Sequence, residues 1–191
     1  MNTVKITLVS LCFSLLVACV TVPNSKQDDS LPKPPQGYSW TISSNGIGSF
    51  LKPKSWYVKE ESSKGTSALF ISQENIQTNG KFITGMSINR VNNWSKTHSI
   101  TPSNYAKEFA GKLSTTGEVL KKGVVKGNFP DMNIVRVKSD NEGVPTIVHN
   151  ISIGMDSSDE VYILSFEAPE SEWDIAMTYG SPMLNFFFLG E

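Results

Sequence analysis

The chain has 191 residues, 39% of them hydrophobic, and its 17 basic and 18 acidic side chains leave a net charge of −1. That balance argues against a nucleic-acid partner, whose phosphates demand a concentrated basic surface. Both cysteines, Cys12 and Cys19, fall near the N-terminus, so the rest of the chain holds no disulfide, zinc-thiolate or cysteine nucleophile.

Lys5 and the amino terminus precede an apolar run from Ile6 to Ala18. The run is too short to cross a bilayer and has the length of a signal-peptide core. Leu16-Val17-Ala18-Cys19 resembles a lipobox, in which a diacylglycerol joins the Cys19 sulfur and the chain is cut just before it. The alternatives are an ordinary cleaved secretory signal and an uncleaved anchor. One acyl chain binds a membrane only reversibly, whereas two or three hold it effectively for good. Cleavage would remove residues 1–18, Lys5 among them and no acid, leaving 16 basic and 18 acidic groups. By resemblance to enterobacterial lipoproteins, in which an aspartate at this position retains the protein in the inner membrane, Val20 implies the outer one. The expectation is a palmitate-bearing lipoprotein of a bacterial cell envelope, facing the periplasm and attached through Cys19.

Residues 19–36 are polar and proline-rich with no apolar periodicity, and read as a lipid-anchored flexible tether. Residues 37–191 suffice for one globular domain burying roughly two thirds of its unfolded surface. Apolar runs at Tyr38–Ser43 and Ile47–Leu51 flank Ser44-Asn45-Gly46, a hairpin signal. Trp56–Lys59 and Ala68–Ile71 have strand character. From Phe82 onward alternation puts Phe82, Thr84, Met86 and Ile88 on one face. Thr101-Pro102 opens a helix, the hydroxyl capping its first amides and the proline needing no donor at the first position. Tyr105, Phe109 and Leu113, flanked by Ala106 and Ala110, form its apolar stripe.

Strands follow at Val119–Val125, Met132–Lys138, Thr146–Ile153 and Val161–Ala168. The last puts Tyr162, Leu164, Phe166 and Ala168 on one side. A final helix starts at Pro169, with Glu170, Glu172 and Asp174 favouring the positive end of its dipole. Gly180-Ser181-Pro182 should interrupt it before Met183–Leu189. The pattern is α+β: a single domain with an antiparallel sheet, a mid-chain helix and a C-terminal helix.

Little in the sequence carries chemistry. His149 shares a strand face with Ile147, Ile151 and Ile153 and reads as a half-buried structural histidine. His98 lies in the polar loop Asn92–Ser99, and neither histidine has a second at ligand spacing. Gly85-Met86-Ser87-Ile88-Asn89 falls short of the hydrolase elbow. Asp156, Asp159 and Glu160 sit at a hairpin turn without the spacing of a calcium loop. No metal, cofactor or enzymatic activity is therefore expected. Trp94 and His98, in the same polar loop, are the candidate partner-binding residues, since exposed tryptophan is enriched at binding hot spots.

The order of elements resembles Mog1/PsbP-like domains. Phe50-Leu51-Lys52-Pro53-Lys54-Ser55-Trp56 matches their F-x-x-P-x-x-W opening, and Tyr105 to Phe109 their Tyr-x-x-x-Phe helix. His149–Gly154 and Tyr162–Phe166 match the paired strands, and Asn185-Phe186 stands where a hydroxyl-Phe pair ends the last helix. The resemblance implies six or seven antiparallel strands with helices packed on them. The group includes envelope lipoproteins of the DcrB type, extrinsic photosystem proteins and a nuclear-transport cofactor, roles that share little beyond binding other proteins. The expected function is non-catalytic: a lipid-anchored envelope protein that binds or helps maintain another envelope component, with an envelope protein as partner. A carrier of a lipid or small apolar ligand is the alternative, needing a cavity lined by residues such as Phe82, Met86, Phe109 and Phe166. A glycan hydrolase hidden among the carboxylates is a third.

Overall fold

A computed structural model describes residues 31–190 apart from 79 and 128. The expected signal segment, Cys19 and most of the expected tether lie outside the described residues, and the globular unit begins at Pro34.

Turn chemistry sets the first half of this unit. Strands β1 (Tyr38–Ile42) and β2 (Gly48–Pro53) form the expected hairpin, with Trp40 opposite Leu51. Strands β3 (Tyr57–Ser63) and β4 (Thr66–Ser72) are joined by Lys64-Gly65, both at positive φ, as a two-residue turn between twisted strands requires. β5 spans Gly85–Asn92 and begins three residues later than the alternation from Phe82 suggested. The Glu74 carboxylate is the reason: it accepts the amides of Ile83 (3.1 Å) and Thr84 (3.1 Å), so a side chain rather than a strand satisfies that backbone.

Helix α1 runs Pro102–Leu113, with the Thr101 hydroxyl accepting the Asn104 amide as expected. Strands β6 (Glu118–Val125), β7 (Met132–Asn141), β8 (Val144–Met155) and β9 (Glu160–Pro169) follow. Helix α2 (Trp173–Asn185) and a short strand β10 (Phe187–Leu189) close the chain.

Two antiparallel sheets result. The larger has seven strands in the order β3-β4-β5-β9-β8-β7-β6, and the smaller has three, β1-β2-β10. The architecture is the expected α+β one, with an additional small sheet. One face of the large sheet presents Met86, Ile88, Ile153, Leu164 and Phe166, all fully buried. Phe50 and Leu51 of β2 and Trp173, Ala176 and Met183 of α2 pack against it. The opposite face carries α1, whose buried residues are Pro102, Ala106 and Ala110, while Tyr105, Phe109 and Leu113 are only half-buried. The small side chains rather than the aromatic ones thus face the sheet. The helix start lies directly on Gly154, where a Cβ would run into the Pro102 carbonyl.

The C-terminus departs from expectation. Gly180-Ser181-Pro182 does not interrupt α2, and Phe187–Leu189 is a strand pairing with Gly48–Phe50 rather than helix. Pro182 has no N–H for the Thr178 carbonyl; the Tyr38 hydroxyl donates there instead (3.4 Å), and to the Tyr179 carbonyl (3.2 Å). Gly180 lies against Phe166, a Cβ there falling 2.6 Å from the ring, so the helix needs glycine to approach the sheet.

Candidate functional site

On the core face the small sheet and α2 leave β7 and β8 partly uncovered. An open groove of about 800 Å³ remains there, with β6 along one side and the end of α2 with β10 along the other. Its floor is Met132 and Ile134 of β7 with His149 and Ile151 of β8. Lys121, Val125 and Phe129 form one wall, and Leu184, Phe187 and Phe188 the other. Strand register explains the floor, because Ile134 stands opposite Ile151 and Arg136 opposite His149.

His149 is 6% exposed, and its Nδ1 lies 3.2 Å from the Arg136 Nε–H. Since Arg136 can only donate, Nδ1 accepts and the ring proton sits on Nε2. The Arg136 guanidinium in turn lies over the Trp173 ring, 5.0 Å from its centroid. Burial lowers the His149 pKa to about 4, and the charges of Arg136 and Lys121 push the same way. The groove floor therefore presents a neutral imidazole among aliphatic side chains at neutral pH. Such a lining is suited to an apolar group, and a neutral imidazole whose Nδ1 is already taken by Arg136 does not by itself activate a nucleophile.

The residues singled out from the sequence lie elsewhere. Trp94 is 3% exposed, so its ring is not the surface anchor its polar neighbours suggested. Its Nε1–H donates to the Ile100 carbonyl (2.9 Å), and its ring packs between His98 (3.5 Å, 7° from parallel) and Tyr105 (4.2 Å). His98 is exposed and forms the lid of that stack. The three turn carboxylates diverge. Asp156 accepts the Ser103 amide (2.8 Å) and hydroxyl (2.7 Å) at the start of α1. Asp159 accepts the Ser95 amide (2.9 Å), and Glu160 pairs with Arg90. Among the described residues no group of three His, Cys, Asp or Glu could hold a metal ion.

Nor do the expected carrier residues line the groove. Met86 and Phe166 are fully buried in the core, Phe82 packs on Phe70 (6.0 Å) and Phe109 on Tyr105 (6.0 Å). Met132, Ile134, Phe129 and Phe188 take that place. A sequence signal exists for two of them: Phe129 follows the apolar residues of Val119–Val125, which are interleaved with lysines, and Phe188 stands in the run Phe186-Phe187-Phe188-Leu189.

No family model matches this chain, and no curated protein matches its sequence. Solved structures do. Cyanobacterial PsbP (CyanoP) from Synechocystis sp. PCC 6803 superposes on 84% of the chain and 98% of its own length, with TM-score 0.50 and 11% identity. The fold is PsbP-like. A crystal structure from Bacteroides thetaiotaomicron VPI-5482 matches 81% of the chain, with TM-score 0.50 and 13% identity; the chain spans 49% of that protein. LpqN, described as involved in cell envelope biogenesis of Mycobacterium tuberculosis, matches 83% of the chain and 87% of itself, with TM-score 0.48 and 13% identity. At these identities the likeness is one of architecture, and architecture does not transfer a role.

Proposed function

We propose that this chain is a non-catalytic envelope lipoprotein of the DcrB type, held by acyl chains on Cys19, outer membrane rather than inner. Its domain binds another envelope component in the groove between β6 and β10. The observation that carries the binding reading is the groove itself, an open apolar depression of about 800 Å³ floored by Ile134, His149 and Ile151. The proposed attachment is through the lipobox-like segment Leu16-Val17-Ala18-Cys19; separately, no helix among the described residues is long and apolar enough to cross a membrane. Cys19→Ser then yields an unprocessed precursor that takes up no radioactive fatty acid; normal labelling overturns the anchor. A photo-crosslinker placed at Ile134 should capture a defined envelope component that one at Ser62 on β3 does not, and equal capture at both sites overturns the groove.

A second reading, a carrier of a lipid or small apolar ligand, is supported by the same dimensions. A lining dominated by aliphatic and aromatic side chains with Lys121 at its edge fits one acyl chain with an anionic head. Native mass spectrometry of the delipidated protein should retain a fatty acid that Ile134→Trp excludes; retention in that variant removes the carrier.

A further inference from the structure

The two ends of the large sheet differ in a way that selects a partner. At one end, β3 is neutralised by its own surroundings: Lys59 pairs with Glu61 (2.8 Å), and Glu60 accepts from the Ser44 amide (3.1 Å) and hydroxyl (2.6 Å). At the other end, every residue of β6 is exposed, including Val119, Leu120, Val124 and Val125 at 43–50%. No strand lies on its outer side among the described residues. An exposed apolar edge with unpaired amides is a template for one more strand.

Alternation decides what that strand must carry. Lys121, Gly123 and Val125 stand opposite Arg136, Ile134 and Met132, on the groove side. Lys122 and Val124 stand opposite Val135 and Asn133, on the side of α1. There a second depression, about 400 Å³, gathers Lys107, Lys122 and Lys126 around a single carboxylate, Asp131, which lies 4.0 Å from Lys126. Lys122 also donates to the Ser114 hydroxyl (3.1 Å), and Glu118 begins the strand. Past the register shift between Val119 and Lys121, over the regular stretch Lys121–Val125, a strand laid beside β6 would send successive side chains to these two sides in turn, one set over an apolar groove and the next over three ammonium groups. We propose that β6 docks an extended segment of a partner protein in which apolar residues alternate with aspartate or glutamate.

A second copy of this chain is a poorer occupant. Full antiparallel overlap of two β6 strands puts Lys121 opposite Lys122 twice, a like-charge pairing that costs stability. In a second copy Glu60 and Glu61 of β3 are already engaged by Ser44 and Lys59.

The proposal rests on the groove-binding reading and names its partner. The test uses the processed lipoprotein in neutral phosphatidylcholine nanodiscs and a short fluorescent peptide alternating valine with glutamate. It should bind and slow amide exchange at Val119–Val125 by about tenfold or more, and Lys122→Glu with Lys126→Glu should weaken it by at least about tenfold. A peptide N-methylated along one edge, or with lysine for glutamate, should not bind. Binding that ignores charge reversal or N-methylation overturns the proposal. So does β6 protection that appears with phosphatidylglycerol vesicles in place of peptide, or with a concentration-dependent dimer of the chain. Failure of the peptide with Ile134 crosslinking intact removes the edge alone; failure of both removes the groove reading as well.

Discussion

Arg90 and Glu160 form a buried ion pair that fastens the two sheets together. The residues are 8% and 6% exposed, and the Arg90 Nε–H lies 3.1 Å from one Glu160 oxygen. A terminal guanidinium nitrogen donates to the Gly46 carbonyl (2.6 Å) in the turn between β1 and β2. The second Glu160 oxygen accepts the Ser158 hydroxyl (3.1 Å) and lies 3.4 Å from the Tyr162 hydroxyl, which also reaches the carbonyl of Gly190 (3.3 Å). The pair in strands β5 and β9 thus fixes the hairpin turn, and Tyr162 beside it reaches the chain just after β10, the strand that forms a wall of the groove.

Breaking that pair from one side should be costly. Glu160→Gln leaves a buried guanidinium short of its counter-charge, and a loss of about 3–5 kcal/mol is expected in urea unfolding. The double variant Arg90→Leu/Glu160→Leu should recover most of it, because no unpaired charge remains. A single variant as stable as the parent would show that water reaches the site.

His149 should make the fold acid-sensitive. Its folded pKa, about 4, lies below the ordinary 6.5, so the unfolded chain takes up the proton first. The contribution of the neutral ring is complete above pH 6.5, declines as the pH falls, and is gone below 4. The full difference is on the order of 3 kcal/mol. Denaturation curves of His149→Gln between those pH values should be flatter than those of the parent; parallel curves would mean that the ring titrates normally.

Gly154 should tolerate no side chain. Alanine would press on the Pro102 carbonyl, lift the first turn of α1 and disturb the bonds from Ser103 to Asp156. About 1–3 kcal/mol should be lost, with faster amide exchange at the helix start. In the same helix, nothing lies within 4 Å of a Cβ on Gly111, and alanine there should stabilise by about 0.5–1 kcal/mol.

Trp94→Ala should cost about 3 kcal/mol or more, because it removes a buried ring and the bond to Ile100 together. His98→Ala, on the exposed side of the stack, should cost under about 1 kcal/mol. Comparable effects in thermal melts would place both rings inside.

Much of the fold was legible because it depends on neighbours in sequence. Ser44-Asn45-Gly46 turns a chain locally, Thr101 and Pro102 start a helix through their own hydroxyl and ring, and alternation from Tyr162 to Ala168 needs only the pleat of one strand. The candidate site was not legible in the same way. Trp94 stands among polar residues yet is buried, because its cover comes from His98 and, on α1, Tyr105. Pro182 continues a helix because Tyr38, far away in sequence, satisfies a carbonyl that the proline leaves open.

Local chemistry alone determined the order of strands and helices from β1 to α2, the capped start of α1, the face of β9 that turns inward and the absence of thiols beyond Cys19. Tertiary structure alone decided that Phe187–Leu189 would pair with β2, that Ile134 and His149 would floor a groove, and that β6 would end the sheet uncovered. Turns and caps are settled within a few residues. Which apolar surface stays open depends on which distant segments arrive to cover it, and that is a balance over the whole chain.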